Sequence, residues 1–82
     1  MAVILIVEDE LFTRELAGIS LEDWGHNVLF ADSVESALLV LKSNLHIDAL
    51  FTDIYLKSAV FGGCELARMA MAIRPGLSLI HI

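Results

Sequence analysis

Acidic residues follow two apolar segments of the sequence at the point where each segment ends. Glu8, Asp9 and Glu10 come directly after Val3–Val7, and Asp53 comes directly after a second apolar run. Carboxylates bind hard cations such as Mg²⁺, and a carboxylate can also attack phosphorus as a nucleophile. Carboxylates that converge in one small pocket repel one another, so they require a cation or a retained proton. These residue types therefore predict a cation-dependent site, provided that the fold brings them together.

Both groups of acids also have a simpler explanation. Acids before a helix, or in its first turn, accept hydrogen bonds from unpaired N–H groups and suit the helix dipole. Helix-forming residues follow Glu8–Glu10, so these acids could serve only as caps. Asp53 taken alone could be a turn residue. Both explanations stay open for each group, and only the combination of the two groups favours a binding site.

The hydrophobic pattern changes its period repeatedly along the chain. Continuous β-branched-rich runs are typical of strands buried on both faces. Such short apolar runs predict four strands, at Val3–Val7, Asn27–Phe30, Ile47–Thr52 and Leu77–Ile82. Helical spacing predicts three helices between them. The resulting βαβαβαβ order is typical of one parallel α/β domain over residues 1–82.

The three helices are predicted from their spacing and their end signals. The first runs from Leu11 to Trp24 and ends at Gly25, and its apolar face consists of Phe12, Leu16, Ile19, Leu21 and Trp24. The second opens with a capping box of Asp32 and Glu35, and its apolar positions are Val34, Ala37, Leu38 and Leu41. The third begins at Cys64 and stops at Arg74-Pro75-Gly76, with apolar positions at Leu66, Met69, Ala70 and Ile73.

The predicted fold would bring the acids together at one edge. In a parallel α/β sheet, ligands bind beyond the carboxyl ends of the strands. If the first and third strands are neighbours, as in the order 2-1-3-4, then Glu8, Asp9 and Asp53 converge on one pocket. The order of the strands therefore decides whether these acids form a site.

The composition argues against several classes of protein. A net charge of −6, with only five scattered basic residues, argues against direct binding of nucleic acid. No apolar run approaches the ~20 residues of a membrane span, and no basic segment precedes the first apolar run as it would in a signal peptide. The single cysteine, Cys64, cannot form an internal disulfide. We therefore expect a cytoplasmic protein with no membrane partner.

Two motifs carry a resemblance to a known family. The segments ILIVEDE and DALFTDIYL, the second followed by a glycine-ended loop and GCELAR, resemble the receiver domain of two-component response regulators. The resemblance covers essentially the whole chain. It implies a CheY-like, flavodoxin-like doubly wound parallel sheet with the order 2-1-3-4, lacking the usual fifth strand and the last helix.

The resemblance implies a role for each matching residue. Asp53 would accept a phosphoryl group from a sensor histidine kinase or a phosphotransfer protein. Mg²⁺ would be bound by Asp9 directly, by Glu8 through water, by Asp53, and by the backbone carbonyl of Tyr55. The protein would then be a phospho-acceptor rather than an enzyme, with at most Mg²⁺-dependent self-phosphorylation and self-dephosphorylation.

This sequence departs from the family's pattern in two places. Lys57 stands where the family carries a proline, and Gly62 stands where an Asp often precedes the glycine that Gly63 matches. The sequence ends at Ile82, before the positions of the family's catalytic Lys and its Ser or Thr. We therefore expect weakened catalysis and a homodimer formed through the exposed edge strand Leu77–Ile82.

Two other functions remain open on the sequence alone. The first is a binding module that keeps the fold, is not phosphorylated, and acts by dimerisation or by capture of a partner. The second is an inactive fragment. The acids Glu8, Asp9 and Asp53 favour phosphorylation, whereas the missing Lys and hydroxyl favour the alternatives.

Overall fold

The computed structural model describes residues 1–52 and 63–81, in which strands and helices alternate. The elements are β1 (Val3–Val7), α1 (Leu11–Asp23), β2 (Asn27–Ala31), α2 (Val34–Leu41), β3 (Ala49–Thr52), α3 (Gly63–Ile73) and β4 (Ser78–His81). All four predicted strands and all three predicted helices are present; β1 has the predicted bounds, and the bounds of the others differ by at most two residues. The predicted loop with Asp53 and Tyr55 lies outside the described residues, as does Ile82.

The four strands form one parallel sheet in the order β2-β1-β3-β4. The predicted order 2-1-3-4 is therefore confirmed. Strand β1 lies between two neighbours, which explains why its residues Ile4–Val7 are buried. At its carboxyl end, Val7 pairs with Ala31 of β2 on one side and with Thr52 of β3 on the other.

The two faces of the sheet are covered unequally. Leu5 and Val7 of β1 belong to the larger core, to which α2 and α3 contribute the buried residues Val34, Ala37, Leu41, Leu66 and Ala70. Ile4 and Ile6 belong to a smaller core on the opposite face, where α1 packs through half-buried Ala17 and Leu21. This alternation follows from the two-residue period of a strand. Helices therefore lie on both faces of the sheet, as the doubly wound fold requires.

Helix α1 buries a different face from the one that the sequence predicts. Its buried residue is Gly18, whereas Phe12, Leu16 and Ile19 are exposed and Trp24 is 82% exposed. A Cβ atom at Gly18 would stand 2.7 Å from Cζ of Phe30, so the absence of a side chain lets the helix approach β2. Because the helix approaches the sheet through its small residues, its large apolar residues turn outward. Of the predicted apolar face, only Leu21 packs on the sheet, and the prediction is wrong for the other four residues.

Glycine ends α1 as predicted. Gly25 adopts a φ of 89°, a left-handed conformation that glycine reaches at little cost. The N–H of Gly25 donates to the carbonyl of Glu22 at 2.9 Å, and that of His26 donates to the carbonyl of Leu21 at 3.1 Å. This pair of bonds is the Schellman motif, and it pairs the last carbonyls of the helix.

The start of α2 differs from the predicted capping box of Asp32 and Glu35. The N-cap is Ser33, whose Oγ accepts from the N–H of Ser36 at 3.1 Å, and Ser36 Oγ accepts from the N–H of Ser33 at 3.2 Å. The helix begins at Val34, so Val34 and Ala37 reach the core. Burial of that apolar face decides where the helix starts. The capping box is therefore formed by Ser33 and Ser36, one residue further along the chain than the predicted Asp32 and Glu35.

Candidate functional site

Strands β1 and β3 end side by side at the carboxyl edge of the sheet. Val7 and Thr52 are paired, and both residues are buried. Glu8 follows Val7, and its N–H donates to the carbonyl of Ala31 at 3.1 Å, which continues the pairing with β2. Asp53 follows Thr52 in the sequence and lies outside the described residues. The described part of the site is therefore the loop from β1 to α1.

Glu8 is a buried acid that orders this loop. Its side chain, in a residue only 7% exposed, accepts a hydrogen bond at Oε2 from the N–H of Glu10 at 2.7 Å. Its backbone carbonyl accepts a hydrogen bond from the guanidinium of Arg14 at 2.9 Å. A buried carboxylate is costly unless it is hydrogen-bonded or near a cation. The loop therefore holds a buried carboxyl group at the strand end, beside the half-buried Asp9.

Glu10 has a different role, which is to cap α1. Its Oε1 accepts from the N–H of Phe12 at 3.2 Å, and its Oε2 accepts from the N–H and the hydroxyl of Thr13, both at 2.8 Å. The residue is exposed and has the extended backbone of an N-cap. The simpler explanation offered by the sequence, a helix cap, is thus confirmed for Glu10. Glu8 and Asp9 precede the cap and lie nearer to the strand end.

The carboxyl groups of Glu8 and Asp9 are suitable ligands for the expected Mg²⁺, but two ligands from the protein do not make up the predicted site. Oxygen donors such as the Glu8 and Asp9 carboxylates suit this cation. Within residues 1–52 and 63–81, no group of three or more His, Cys, Asp or Glu side chains could hold a metal ion. The other predicted donors, Asp53 and the carbonyl of Tyr55, lie outside these residues. The metal site therefore stays a prediction.

Arg14 is a part of this edge that the sequence reasoning missed. It binds the Glu8 carbonyl and also lines an open pocket of about 270 Å³ together with Phe30, Ala31, Asp32 and Ser36. Its half-buried cation stands beside a loop that carries three acids, so it offsets part of their negative charge. The sequence did contain a signal for this role. Arg14 follows Glu10 by four residues, and an acid and a base at this spacing lie on the same side of a helix.

His26 and His46 lie at the opposite side of the sheet, where the strands begin. The Nδ1 atom of His26 accepts from the N–H of Ala2 at 3.1 Å, and Nε2 of His46 lies 2.8 Å from Oδ1 of Asp48. These contacts hold the start of β1, so His26 and His46 have structural roles there. Among the described residues, no helix has both the length and the apolar character to cross a membrane.

The whole chain was compared with known proteins. Neither a family model nor a curated protein matches the sequence. Solved structures do match: NtrX from Brucella abortus, in complex with ATP, is 30% identical with a TM-score of 0.88, over 98% of this chain and 18% of NtrX. A CheY-like response regulator receiver domain protein from Methanospirillum hungatei JF-1 is 28% identical with a TM-score of 0.87, over 99% of this chain and 62% of that protein. The receiver domain of the hybrid histidine kinase CckA is 27% identical with a TM-score of 0.77, over 96% of this chain and 83% of that domain.

The fold and these matches define the class of protein. The chain has the fold of response regulator receiver domains, and the similarity extends over nearly all of its residues. In particular, its four-stranded parallel sheet in the order β2-β1-β3-β4 with three helices is that of the CheY-like form. The chain spans only 18% of NtrX and less than two thirds of the Methanospirillum protein.

Proposed function

We propose that this chain is the phospho-acceptor receiver domain of a two-component response regulator. Asp53 takes a phosphoryl group from a sensor histidine kinase or a phosphotransfer protein. Glu8, Asp9, Asp53 and the backbone carbonyl of Tyr55 hold Mg²⁺. The domain is a substrate of its kinase rather than an enzyme in its own right.

One observation carries this proposal. The loop after β1 presents the buried Glu8 and the half-buried Asp9 where Val7 pairs with Thr52, the residue that immediately precedes Asp53 in the sequence. This is the edge at which parallel sheets bind their ligands. The similarity to the receiver domain of a hybrid histidine kinase supports a kinase or phosphotransfer protein as the donor.

The proposed reaction is one displacement at phosphorus. A carboxylate oxygen of Asp53 forms a bond to phosphorus while the bond from phosphorus to the donor's histidine nitrogen breaks, and the leaving imidazole takes up a proton. Bound Mg²⁺ would supply neutralisation of the charge on the phosphoryl oxygens. The chain's own contribution is placement: Glu10 and Arg14 hold the loop through their hydrogen bonds, so Glu8 and Asp9 keep their positions at the strand end.

The test is the intact mass of the protein after incubation with a small-molecule phosphodonor. We expect one phosphoryl adduct when Mg²⁺ is present and none when it is chelated. Asp53→Asn removes the nucleophile and should abolish the adduct. Asp23→Asn is the matched control, because Asp23 is an exposed acid at the end of α1, and it should leave the adduct unchanged. An adduct that persists in Asp53→Asn would contradict the assignment.

A second candidate is a binding module that is not phosphorylated. The observation that favours it is the set of large exposed apolar residues on α1, because such residues at a surface mark interaction sites. The same measurement separates the two candidates. If the folded protein binds Mg²⁺ but gives no adduct at all, the binding module is favoured.

We also propose that the chain forms a homodimer through β4. Within the described residues this strand pairs on one side only, with β3, and its Ile80 is 38% exposed. A strand with an unpaired edge and an exposed apolar side chain is a template for pairing with another chain.

A further inference from the structure

An open pocket lies between the first turn of α1, the end of β2 and the start of α2. It has a volume of about 270 Å³ and is lined by Arg14, Phe30, Ala31, Asp32 and Ser36. Because β2 and β3 lie on opposite sides of β1, the pocket is on the β2 side, away from the end of β3 that Asp53 follows in the sequence. Pockets for drug-sized ligands measure about 300–1,000 Å³, so this one suits a smaller molecule.

A cation and a carboxylate line this pocket without pairing with each other. Within residues 1–52 and 63–81, the guanidinium of Arg14 donates to the Glu8 carbonyl at 2.9 Å, and neither Arg14 nor Asp32 makes an ion pair. The Oδ1 atom of Asp32 accepts from the hydroxyl of Ser36 at 3.2 Å. A guanidinium has five N–H donors and a carboxylate has about four acceptor positions. Both groups therefore keep hydrogen-bonding capacity for a ligand that enters the pocket.

Phe30 adds a flat apolar surface to the two charges. Its ring is held from the α1 side, because a Cβ atom at Gly18 would stand only 2.7 Å from Cζ of the ring. The residue is nevertheless 48% exposed, so part of the ring is open to a ligand. An aromatic face that is already fixed in position can bind an apolar group with little loss of conformational entropy.

These three features together restrict the chemistry of the ligand. A molecule with several negative charges, such as a nucleotide, is disfavoured by the net charge of −6. A simple cation would be repelled by Arg14, and a purely apolar molecule would remove water from both charges without replacing its hydrogen bonds. A small zwitterion with an apolar group satisfies the cation, the carboxylate and the ring at once. An α-amino acid has this composition, with both charges on one carbon atom.

We propose that the pocket between α1, β2 and α2 binds a free α-amino acid with an aromatic or large apolar side chain. The carboxylate of the amino acid accepts hydrogen bonds from Arg14, its ammonium group donates to Asp32, and its side chain packs on Phe30. This inference goes beyond phosphorylation and does not rest on it, since the binding of the amino acid involves neither Mg²⁺ nor Asp53.

The test uses the whole chain and three ligands that differ by one charged group. L-phenylalanine has both charges, phenethylamine lacks the carboxylate, and 3-phenylpropionate lacks the ammonium group. Titration of the isotope-labelled chain, followed by amide NMR, should show saturable shifts at Ala31, Asp32 and Ser36. We expect L-phenylalanine to bind at least about tenfold tighter than either of the other ligands, because each of them loses the hydrogen bonds of one charged group.

Variants of the chain assign each charge of the ligand to its partner. Asp32→Asn should abolish the discrimination against 3-phenylpropionate and keep that against phenethylamine; its side-chain oxygen can still accept from Ser36, so the start of α2 is preserved. Arg14→Gln should have the converse effect. Asp23→Asn and Arg68→Gln are the matched controls, since both residues are exposed outside the pocket, and they should change neither preference. The dispersion of the amide signals verifies that each variant is folded.

Three outcomes would overturn the proposal. The first is the absence of saturable shifts at the pocket with about 10 mM L-phenylalanine, which is well above the range expected for a specific small ligand. The second is equal affinity for the three ligands, which would mean that only the ring of Phe30 is involved. The third is an unchanged preference in Asp32→Asn, or the same change in Asp32→Asn and Asp23→Asn.

Discussion

At the scale of single residues, Asp48 holds the amino-terminal end of the sheet. Its Oδ2 accepts a hydrogen bond from the N–H of Val3 at 2.7 Å, and its Oδ1 lies 2.8 Å from Nε2 of His46. The backbone hydrogen bond from Val3 is the main cause that lowers the pKa of the Asp48 carboxyl, and His46 adds to it. Burial acts in the opposite direction and is outweighed.

The lowered pKa of Asp48 predicts that part of the protein's free energy of unfolding depends on pH. A carboxyl with a lower pKa in the folded state stabilises the fold above its unfolded pKa of about 3.9, and that stabilisation is lost as the pH falls through the folded pKa. Asp48→Asn should therefore be less stable than the parent chain at pH 7, and the difference should shrink below about pH 4. Urea unfolding at several pH values measures this. A difference that stays constant down to pH 3 would contradict it.

Arg74 joins the ends of two helices. It directly follows α3, and its Nε and one terminal nitrogen donate to the carbonyls of Leu41 and Ser43, both at 2.9 Å, at the end of α2. Carbonyls at a helix end have no partner within the helix, and a cation there also suits the dipole.

Arg74→Ala should accordingly lower the free energy of unfolding by about 1–2 kcal/mol, as expected for hydrogen bonds from a charged donor. The matched control is Arg68→Ala. Arg68 makes an exposed ion pair with Glu65 at 3.0 Å on α3, and such pairs contribute at most about 1 kcal/mol and often nothing measurable. Urea unfolding of both variants compares the two losses. Equal losses would mean that the Arg74 contacts are no stronger than a surface pair.

At the scale of elements, the fit of α1 on the sheet depends on Gly18 and Phe30. A Cβ at Gly18 would stand 2.7 and 2.8 Å from two ring atoms of Phe30, which is closer than packed atoms approach. Alanine in a helix is ordinarily favoured over glycine by about 1 kcal/mol. At this position the steric conflict acts against that preference.

In the parent chain, Gly18→Ala should therefore raise the free energy of unfolding by clearly less than about 1 kcal/mol, because the Phe30 ring, 48% exposed, has to shift to admit the methyl group. In a Phe30→Ala background the ring is gone, so Gly18→Ala should give the full stabilisation of about 1 kcal/mol. Chemical unfolding of the two single variants and the double variant gives the coupling between the positions. The same effect of Gly18→Ala in both backgrounds would show that the ring does not cause the conflict.

At the scale of the whole molecule, the proposed homodimer requires a free edge at β4. Ile80→Lys places a charge on the exposed apolar residue of that strand, and charged edge strands resist pairing. We expect light scattering to show a dimer for the parent chain and a monomer for Ile80→Lys. Leu39→Lys, on the exposed side of α2, should leave the dimer intact. A parent chain that stays monomeric at high concentration would contradict the proposal.

Sequence patterns were enough to predict the alternation of strands and helices, the parallel class of the sheet and the end of α1 at Gly25. These features depend on near neighbours in the chain: the period of apolar residues, and a glycine where a left-handed conformation is needed. The acids at the end of β1 were also visible in advance, because they directly follow a run that reads as a buried strand.

The buried face of α1 and the residues that bind the ends of the helices and strands depend on contacts between distant parts of the chain. The apolar row Phe12, Leu16 and Ile19 has helical spacing, yet the approach of Gly18 to Phe30 turns it outward. Likewise, Arg74 meets its carbonyl partners 33 and 31 residues away. The physical reason is the same in both cases. Local spacing restricts a helix to a few possible faces, and contacts between residues distant in sequence select one of them.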